Sequence, residues 1–330
     1  MKKTIDKLFH HQILNKQEAK QLLIDMTNGI SNQSQLAAIL TIYNIRTITL
    51  EELIGFKEAL LELSVKINLS EFKTMDVCGT GGDGKNTFNI STLSAFVIAA
   101  AGVPIAKHGN YGVSSVSGSS NVLEQIGIKF TSDESTLKNQ LEKTGICFLH
   151  APLFHPALKI LAPIRKELGT KTFLNLLGPL VNPAIPIAQY TGVFSVELAR
   201  LYQYLLQKEN NKFSIVHSLD GYDEITLTSK TKHITQYGET EIDAEYFGFN
   251  SLQSKELYGG NTVDDAAQLF IKIISGEGTN AQNKVVLANS AIALQTYHDH
   301  LSIEECLEKS KDALFSLNAK KIMNQLINLS

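Results

Sequence analysis

A glycine-rich stretch at residues 76–92, DVCGTGGDGKNTFNIST, constrains the fold of this chain more than any other feature. It begins as the end of an apolar strand and passes through four glycines between residues 79 and 84. It then reaches NIST directly before the apolar run of residues 93–102. Glycine lets a backbone turn sharply and bring bare N–H groups onto an anion, and a helix N-terminus adds partial positive charge. This order of elements predicts a phosphate or pyrophosphate site.

Two standard phosphate motifs fit this stretch poorly. A P-loop ends in Gly-Lys followed by Ser or Thr, whereas Gly84 and Lys85 are followed here by Asn86. The dinucleotide fingerprint opens a helix directly, but here the helix is expected to start seven or eight residues after the last glycine. From the loop alone, an ordinary tight turn stays open as the alternative.

The composition narrows the class of protein. A chain of 330 residues with 43% hydrophobic and 19% charged residues is typical of a soluble globular protein with one large or two modest domains. The net charge of −3 and the lack of a basic cluster argue against a nucleic-acid partner. Cys78, Cys147 and Cys306 lack metal or redox spacing, which indicates a reducing cytoplasm. No apolar run approaches membrane-spanning length, so no membrane partner is expected.

The hydrophobic pattern predicts an α/β protein with a small all-helical N-terminal domain. Capping boxes begin at Asn15 and Thr49, and residues 1–66 have helical periodicity throughout. From residue 73, short apolar strands alternate with helices, which predicts a mainly parallel central sheet. The predicted parallel strands are 74–78, 103–106, 146–149, 188–193 and 213–217. The predicted helices after the glycine loop are 93–101, 121–126, 156–168, 196–207, 263–275, 281–297, 302–317 and 319–329.

Two segments depart from this alternation. Residues 224–246 are rich in Thr and alternating charge, which predicts antiparallel strands or a hairpin. Residues 172–183 are apolar but end in Gly-Pro and Asn-Pro steps, so a sheet strand is not expected there. We expect this segment to return to the helical domain through a hinge. The predicted domains are therefore 1–70 with a returning segment at about 166–185, and 71–330.

Polar residues follow the predicted strands where ligands collect in open α/β sheets. KHGN at residues 107–110 follows strand 103–106, so Lys107 is a candidate phosphate cation, and His108 and Asn110 are candidate contacts to a second substrate. The alternative is a solvated loop lysine and a structural histidine. The serine run SSVSGSS at residues 114–120 is equally consistent with phosphate binding and with a flexible linker.

Two further candidates carry charge. The Arg165 guanidinium would match a carboxylate in two parallel hydrogen bonds, although a cation compensating a helix C-terminus is the simpler interpretation from sequence. Asp223 and Glu224 suit Mg²⁺, which takes one or two carboxylates plus substrate phosphates. An acidic surface turn is the alternative. The glycine loop and the KHGN tetrad at residues 107–110 favour a metal site over that alternative.

These motifs together resemble the anthranilate phosphoribosyltransferase family over nearly the whole chain. The matching pieces, in order, are CGTGGDG (78–84), NIST (89–92), KHGN (107–110), VSSVSGS (113–119), HPA (155–157), APIRKELG (162–169), NLLGPLVNP (175–183) and DGYDEI (220–225). The resemblance implies a hinge-linked helical and α/β architecture, a homodimer, and transfer of the phosphoribosyl group of phosphoribosyl pyrophosphate (PRPP) to anthranilate with Mg²⁺.

The resemblance also implies roles for matching positions. The implied PRPP-binding residues are Gly79, Gly82, Asp83, Thr87, Asn89, Ile90, Ser91, Thr92, Lys107 and Ser119. The implied anthranilate-binding residues are Gly79, His108, Asn110 and Arg165. The implied Mg²⁺ ligands are Ser91, Asp223 and Glu224. The chain departs from the family at Tyr111, where many members have Arg, and at Val116, where they often have Lys.

Two rival functions remain at this point. A pyrimidine-type nucleoside phosphorylase shares the architecture and uses inorganic phosphate without catalytic Mg²⁺. The Asp223–Glu224 pair and residues 175–183 favour the transferase. A non-catalytic nucleic-acid-binding relative would have basic enrichment and a degraded glycine loop, whereas this chain has a pI near 6.3 and an intact loop.

Overall fold

The computed structural model describes residues 1–112, 116–209 and 211–330. The chain forms two compact units. The helical unit contains Met1–Lys66 and Ala151–Pro183, and the α/β unit contains Ile67–His150 and Ala184–Ser330. Within the described residues, no helix is both long enough and apolar enough to span a membrane.

The regular elements are numbered in chain order. The α-helices are α1 (Lys2–Phe9), α2 (Lys16–Thr27), α3 (Gln33–Ile45), α4 (Leu50–Leu63), α5 (Ile90–Ala100), α6 (Ser119–Gln125), α7 (Glu134–Thr144), α8 (Ala151–Phe154), α9 (Ala162–Leu168), α10 (Val196–Leu206), α11 (Val263–Lys272), α12 (Asn280–Tyr297), α13 (Ile303–Phe315) and α14 (Asn318–Leu329). The strands are β1 (Met75–Gly79), β2 (Ile105–Gly109), β3 (Ile146–His150), β4 (Ala188–Gly192), β5 (Lys212–Ser218), β6 (Thr231–Thr235) and β7 (Gly238–Ile242). The 3₁₀ segments are Ser70–Phe72, Pro156–Leu161, Phe173–Leu176, Gly178–Leu180, Glu245–Phe247 and Ser254–Leu257, and a π-helical turn, Ile273–Glu277, follows α11.

Local sequence signals define the helices of the helical unit. Side chains of Asn15, Asn32 and Thr49 cap α2, α3 and α4, each in a complete capping box that satisfies otherwise unpaired N–H groups. The apolar faces of these helices bury an aromatic cluster. Phe173 from the returning segment packs on Phe56 at 4.6 Å between ring centroids. Burial of such rings is a main source of stability in a small helical unit.

A seven-stranded sheet organises the α/β unit, in the order β3-β2-β1-β4-β5-β6-β7. The first five strands in this order are parallel, and β6 and β7 add an antiparallel hairpin at one edge. Strands β1 and β3 are almost entirely buried, as expected for parallel strands covered on both faces. Strands β1 and β4 pair in register from Met75↔Ala188 to Gly79↔Gly192. The C-terminal ends of these central strands carry the glycine loop.

The predicted strands and the predicted hairpin are confirmed, and the differences lie at element boundaries. Strand β2 begins at Ile105 rather than 103 and ends at Gly109 rather than 106, so Lys107 and His108 lie inside the strand and not after it. The Pro104 carbonyl accepts from the Met75 N–H, but proline has no N–H to donate to a ladder. The predicted helix 156–168 is split into a 3₁₀ segment and α9. Helix α7 was not predicted, although Asp133 caps it.

Candidate functional site

Two carboxylates accept hydrogen bonds from backbone N–H groups, one in the glycine loop and one at the start of the following helix. The Gly81 N–H donates to Asp223 Oδ2 at 2.7 Å. The Ser91 N–H, in the first turn of α5, donates to Glu224 Oε1 at 2.9 Å. These are the anion-binding positions predicted from the sequence, because loop N–H groups and a helix N-terminus both favour negative charge. The structure therefore brings the glycine loop, the NIST motif and the Asp223–Glu224 pair together.

The approach of Asp223 to the sheet requires glycine at two paired positions. A Cβ atom on Gly79 would lie 2.3 Å from Asp223 Oδ2. A Cβ atom on Gly192 would lie 1.4 Å from the Asp223 carbonyl oxygen. Since Gly79 and Gly192 are direct neighbours on β1 and β4, the ends of these strands form a surface on which only glycine admits Asp223.

Asp83, Asp223 and Glu224 form an acidic cluster, and their surroundings disfavour the charged form of each carboxyl group. Burial, followed by the nearby charge of Asp83, raises the pKa of Asp223. Burial and the charge of Asp223 raise the pKa of Glu224 well above its ordinary value, while Lys107 acts in the opposite direction. Burial also raises the pKa of Asp83. Several carboxyl groups in one buried place favour protonation or a bound cation.

The donor set at this cluster fits Mg²⁺. Carboxylate oxygens are the ligands that Mg²⁺ prefers, and it commonly takes one or two of them together with substrate phosphates. Among the described residues, no group of three or more His, Cys, Asp or Glu side chains converges into a complete metal site. Asp223 and Glu224, with Ser91 bonded to Glu224 through its backbone N–H, suit a metal that completes its coordination with substrate and water.

Lys107 and His108 lie in β2 next to the cluster, and both are buried. The Lys107 ammonium donates to the Val77 carbonyl of β1. The backbone N–H of His108 donates to Asp76 Oδ1 at 3.1 Å, and Asp76 is fully buried. Lys107 is thus a buried cation whose charge reaches Glu224. The sequence-based alternative of a solvated loop lysine is wrong, because the strand continues through this position.

The other implied PRPP residues lie on the glycine loop and the first turn of α5. Thr87 forms an isolated antiparallel bridge with Tyr258. Asn89 is the residue preceding α5, and its side chain donates to the Ser117 carbonyl at 3.2 Å. Ile90 and Thr92 are buried in the helix, and Gly82 has a φ of 78° in the loop. These positions surround the Ser91–Glu224 contact along the chain.

The segment after β2 is fixed to the start of α6. The Asn110 carbonyl accepts from Ser119 Oγ at 3.3 Å and from the Ser120 N–H at 3.1 Å. Tyr111 and Val116, at the positions that depart from the family, are both exposed. Part of the serine run and of the matching VSSVSGS motif, residues 113–115, lies outside the described residues.

Arg165 belongs to the helical unit and has a different environment from the α/β cluster. Its Nη2 donates to Asn175 Oδ1 at 3.2 Å, and burial lowers its pKa. In the described part of the chain, no carboxylate forms a salt bridge with it. Asn175 Oδ1 also accepts from the Thr172 N–H at 3.0 Å, which fixes its orientation. A half-buried guanidinium with one neutral acceptor is suited to an anionic ligand.

Sequence reasoning missed the residues that support this site. Asn289 on α12 is fully buried; its Oδ1 accepts from the Ile225 N–H at 3.1 Å and its Nδ2 donates to the Ile225 carbonyl at 2.7 Å. It thereby fixes the residue that follows Glu224. The Asn86 side chain donates to the Gly260 carbonyl at 2.7 Å and anchors the glycine loop. A polar residue in an apolar helix is the signal that could have identified Asn289.

Two family models match the chain, one over its α/β part and one over its N-terminal helical part. The model described as "Glycosyl transferase family, a/b domain" matches residues 71–320. The model described as "Glycosyl transferase family, helical bundle domain" matches residues 2–64. Together they cover most of the chain.

Two similar sequences and two similar solved structures are all named anthranilate phosphoribosyltransferase. The anthranilate phosphoribosyltransferase of Flavobacterium johnsoniae is 54% identical over 330 residues, covering 100% of each chain. That of Bacteroides fragilis is 48% identical with the same coverage. The Thermus thermophilus enzyme structure superposes with a TM-score of 0.91 at 29% identity and covers 98% of each chain. The Saccharomyces cerevisiae enzyme in complex with PRPP and Mg has a TM-score of 0.90 at 25% identity, covering 98% of this chain and 96% of that one.

Proposed function

The chain belongs to the anthranilate phosphoribosyltransferase family, and we propose that it transfers the phosphoribosyl group of PRPP to the amine of anthranilate in tryptophan biosynthesis. The products are N-(5-phosphoribosyl)anthranilate and pyrophosphate. One observation in the geometry supports this proposal most strongly. The anion-binding N–H groups of the glycine loop and of α5 lie at the buried Asp223–Glu224 pair. Phosphate-binding donors and metal-binding acceptors therefore meet in one place.

PRPP binds to the α/β unit in this proposal. The glycine loop and the start of α5 supply N–H and hydroxyl donors to its phosphates and ribose. Lys107 adds a fixed positive charge beside the carboxylates. The proposed PRPP-binding residues are Gly79, Gly82, Asp83, Thr87, Asn89, Ile90, Ser91, Thr92, Lys107 and Ser119.

Asp223, Glu224 and Ser91 are the proposed ligands of Mg²⁺. When bound, Mg²⁺ neutralises charge on the departing pyrophosphate. The protein's part is to hold the two carboxylates in place, through the Gly81 and Ser91 N–H groups and through the Asn289 contact that fixes Ile225. The raised pKa values of both carboxyls are consistent with a pair that awaits a cation.

Anthranilate is bound through its carboxylate by Arg165, with Asn110, His108 and Gly79 as further contacts. The support is the lack of a carboxylate partner for Arg165 among the described residues and its fixed orientation against Asn175. An aromatic amine is largely unprotonated near neutral pH, so its lone pair is available without a strong general base. Orientation of the amine relative to ribose C1 is then the main contribution of these residues.

The chemical step breaks the bond between ribose C1 and the pyrophosphate oxygen and forms the bond from C1 to the amine nitrogen. The ribose passes through an oxocarbenium-like state, and negative charge develops on the leaving oxygen. Lys107 and the glycine-loop N–H groups other than that of Gly81, which holds Asp223, stabilise that charge, an effect that is strong in a buried site. The amine nitrogen loses one proton to solvent water after the C–N bond has formed.

The test is the loss of anthranilate fluorescence when purified protein is mixed with PRPP and Mg²⁺. We expect loss that requires both additions, stops with EDTA and does not occur when inorganic phosphate replaces PRPP. No loss under these conditions would contradict the proposal. Phosphorolysis of uridine or thymidine by the same preparation would assign the chain to the phosphorylase branch instead.

The oligomeric state, the cellular compartment and the domain arrangement are proposed together with this function. The family suggests a homodimer, and Phe9, Ile13 and Ile45 leave apolar surface exposed on the helical unit. The three free, buried cysteines suit the cytoplasm. The two units are proposed to act as the hinge-linked domains predicted at 1–70 with 166–185, and at 71–330. Light scattering at micromolar protein concentration tests the dimer, and a monomeric mass would contradict it.

A further inference from the structure

A histidine–tyrosine contact lies beside the proposed substrate segment and has no role in the proposed chemistry. His150 is the last residue of β3, directly beside Gly109 of β2. Its ring stacks on Phe130 with 4.5 Å between centroids, and Tyr111 approaches its face edge-on at 4.9 Å. Aromatic contacts of this geometry are attractive beyond their area burial. His150 is thus held firmly in the sheet.

Two hydrogen bonds connect this aromatic group to α6. The Ser120 hydroxyl, in the first turn of α6, lies 2.8 Å from His150 Nδ1 in a buried contact. Burial lowers the pKa of His150, which favours the neutral ring, and the hydrogen bond between Ser120 Oγ and Nδ1 forms with either atom as the donor, according to the ring tautomer. The Tyr111 hydroxyl donates to Glu124 Oε1 at 2.7 Å, one turn further along the helix.

These contacts fix residues that carry proposed substrate roles. Ser120 donates its N–H to the Asn110 carbonyl, and Ser119 donates its hydroxyl to the same oxygen. Asn110 is a proposed anthranilate contact, and Ser119 is a proposed PRPP contact. Asn110 directly precedes Tyr111, and Ser119 directly precedes Ser120, and Tyr111 and Ser120 are the two residues that contact the His150 ring. Ordering Asn110 and Ser119 before binding removes an entropic cost from substrate affinity.

We propose that His150 and Tyr111 are positioning residues that hold Asn110 and Ser119 in their substrate-binding arrangement through Ser120 and Glu124. The inference rests on the proposed function. It gives a role to Tyr111, which departs from the family's usual Arg, because its uncharged ring and hydroxyl order the segment. Neither His150 nor Tyr111 touches the reacting atoms in this proposal.

The test compares His150→Phe and Ser120→Ala by steady-state kinetics, with thermal unfolding measured in parallel. Phenylalanine keeps the stack on Phe130 and removes both ring nitrogens, including the Nδ1 atom that bonds to Ser120. We expect the KM for PRPP to rise about 3- to 10-fold in each variant, the range of one hydrogen bond, with kcat close to wild type. The double variant should add little further, because both changes remove the same bond. Ser120→Thr, which keeps the hydroxyl, should restore the KM.

The α/β unit contains a matched control. His233 on β6 makes a buried contact of the same kind, with 2.8 Å between its Nε2 and Ser214 Oγ, at the antiparallel side of the sheet. His233→Phe should lower the unfolding midpoint and leave both KM values unchanged. Tyr111→Phe removes only the bond to Glu124 and should raise the KM for PRPP by about 2- to 5-fold. Tyr204→Phe, at an exposed tyrosine of α10, is its control.

The outcomes separate this inference from the function on which it rests. Active wild type with an unchanged KM for PRPP in His150→Phe, Ser120→Ala and Tyr111→Phe would overturn the positioning role alone. Should His150→Phe fail to fold, the Ser120 and Tyr111 variants decide the matter by the same criterion. Wild type without PRPP-dependent loss of anthranilate would overturn the proposed function and the positioning role together.

Discussion

The helical unit and the α/β unit each bury charge near their proposed ligand positions, and the sign of that charge is opposite. In the helical unit, the Arg165 guanidinium is half-buried against one neutral acceptor, Asn175. In the α/β unit, the buried Asp223 and Glu224 lie with the partly buried Asp83, and burial raises the pKa of each. The difference matches the two proposed ligands, because an anionic carboxylate suits the first environment and a metal-bound pyrophosphate suits the second.

A second arginine in the helical unit shows what a purely structural charge looks like. Arg46 contacts the fully buried carboxylate of Glu52 with both terminal nitrogens. Glu52 also accepts from the Leu14 N–H and the Tyr43 hydroxyl. Although burial acts to raise the pKa of Glu52, hydrogen bonds from Arg46 and from the Leu14 and Thr49 N–H groups lower it below its ordinary value. A complete ion pair of this kind needs no ligand, whereas Arg165 and the acidic cluster do.

The largest expected effect comes from neutralising the acidic cluster. Asp223→Asn combined with Glu224→Gln keeps the size of both side chains and removes their charge. We expect kcat to fall about 100-fold or more, since the site loses the groups that stabilise charge on the leaving pyrophosphate. The unfolding midpoint should not fall, because burial no longer opposes two charges. Retained turnover with Mg²⁺ would break the assignment of the acidic cluster.

Comparing the two arginines sharpens the contrast within the helical unit. Arg165→Ala should raise the KM for anthranilate by about 10- to 100-fold, the range of hydrogen bonds to a charged group, with little change in the KM for PRPP. Its unfolding free energy should stay within about 0.5 kcal/mol of wild type.

Arg46→Ala should behave in the opposite way. We expect it to lower the unfolding free energy by about 3 kcal/mol, because Glu52 is left buried without its cation. Both KM values should stay unchanged in the folded protein. Urea denaturation and kinetics on the same preparations check both arginines, and equal behaviour of the two variants would remove the distinction between them.

The pH dependence of the unfolding free energy tests whether a buried histidine makes the same contribution in each of the two units. Burial lowers the pKa of His155, in the helical unit, and of His233, in the α/β unit, to about 4. The unfolded chain binds these protons near pH 6.5, so the folded state loses stability as the pH falls from about 6.5 toward 4. Each histidine should contribute about 2 kcal/mol of this loss at pH 5.

Denaturant titrations at pH 7 and pH 5 measure this loss. His155→Gln and His233→Gln should each reduce the difference in unfolding free energy between the two pH values. The reduction should be similar in the two variants, since both rings are buried and neutral. A difference that persists in full in both variants would assign the acid sensitivity to other groups.

The smallest expected effect concerns the residue that orients Arg165. Asn175→Ala should raise the KM for anthranilate by about 3- to 10-fold, because the guanidinium loses its acceptor. It should also lower stability by about 1 kcal/mol through loss of the cap at Thr172. Asn15→Ala removes another cap in the same unit and should give the stability loss without the KM change. Equal KM values in the two variants would argue against an orienting role.

The sequence was most informative where structure is set by neighbours along the chain. The capping boxes at Asn15 and Thr49 and the strand and helix that flank the glycine loop are confirmed, because their signals lie within a few residues. The resemblance to the anthranilate phosphoribosyltransferase family is confirmed by the named relatives. Its motifs are local strings in a fixed order.

The contacts of the site residues were harder to predict from the sequence. The contact between Gly81 and Asp223 joins residues 142 positions apart, and no local pattern encodes it. Burial of Lys107 depended on where β2 ends, which is Gly109 rather than the predicted residue 106. The partners of Arg165 and His150, Asn175 and Ser120, carry no signal of their own. Such contacts depend on packing between distant segments.

The most direct test of the charge difference uses a neutral substrate analogue. The ratio of kcat/KM for anthranilate to that for 2-aminobenzamide, which replaces the carboxylate by an amide, should be measured in wild type and in Arg165→Ala. We expect a ratio of about 100 in wild type and a ratio near one in the variant, because only a cation distinguishes the two substrates strongly. An unchanged ratio in Arg165→Ala would contradict the account, since discrimination would then come from elsewhere in the protein.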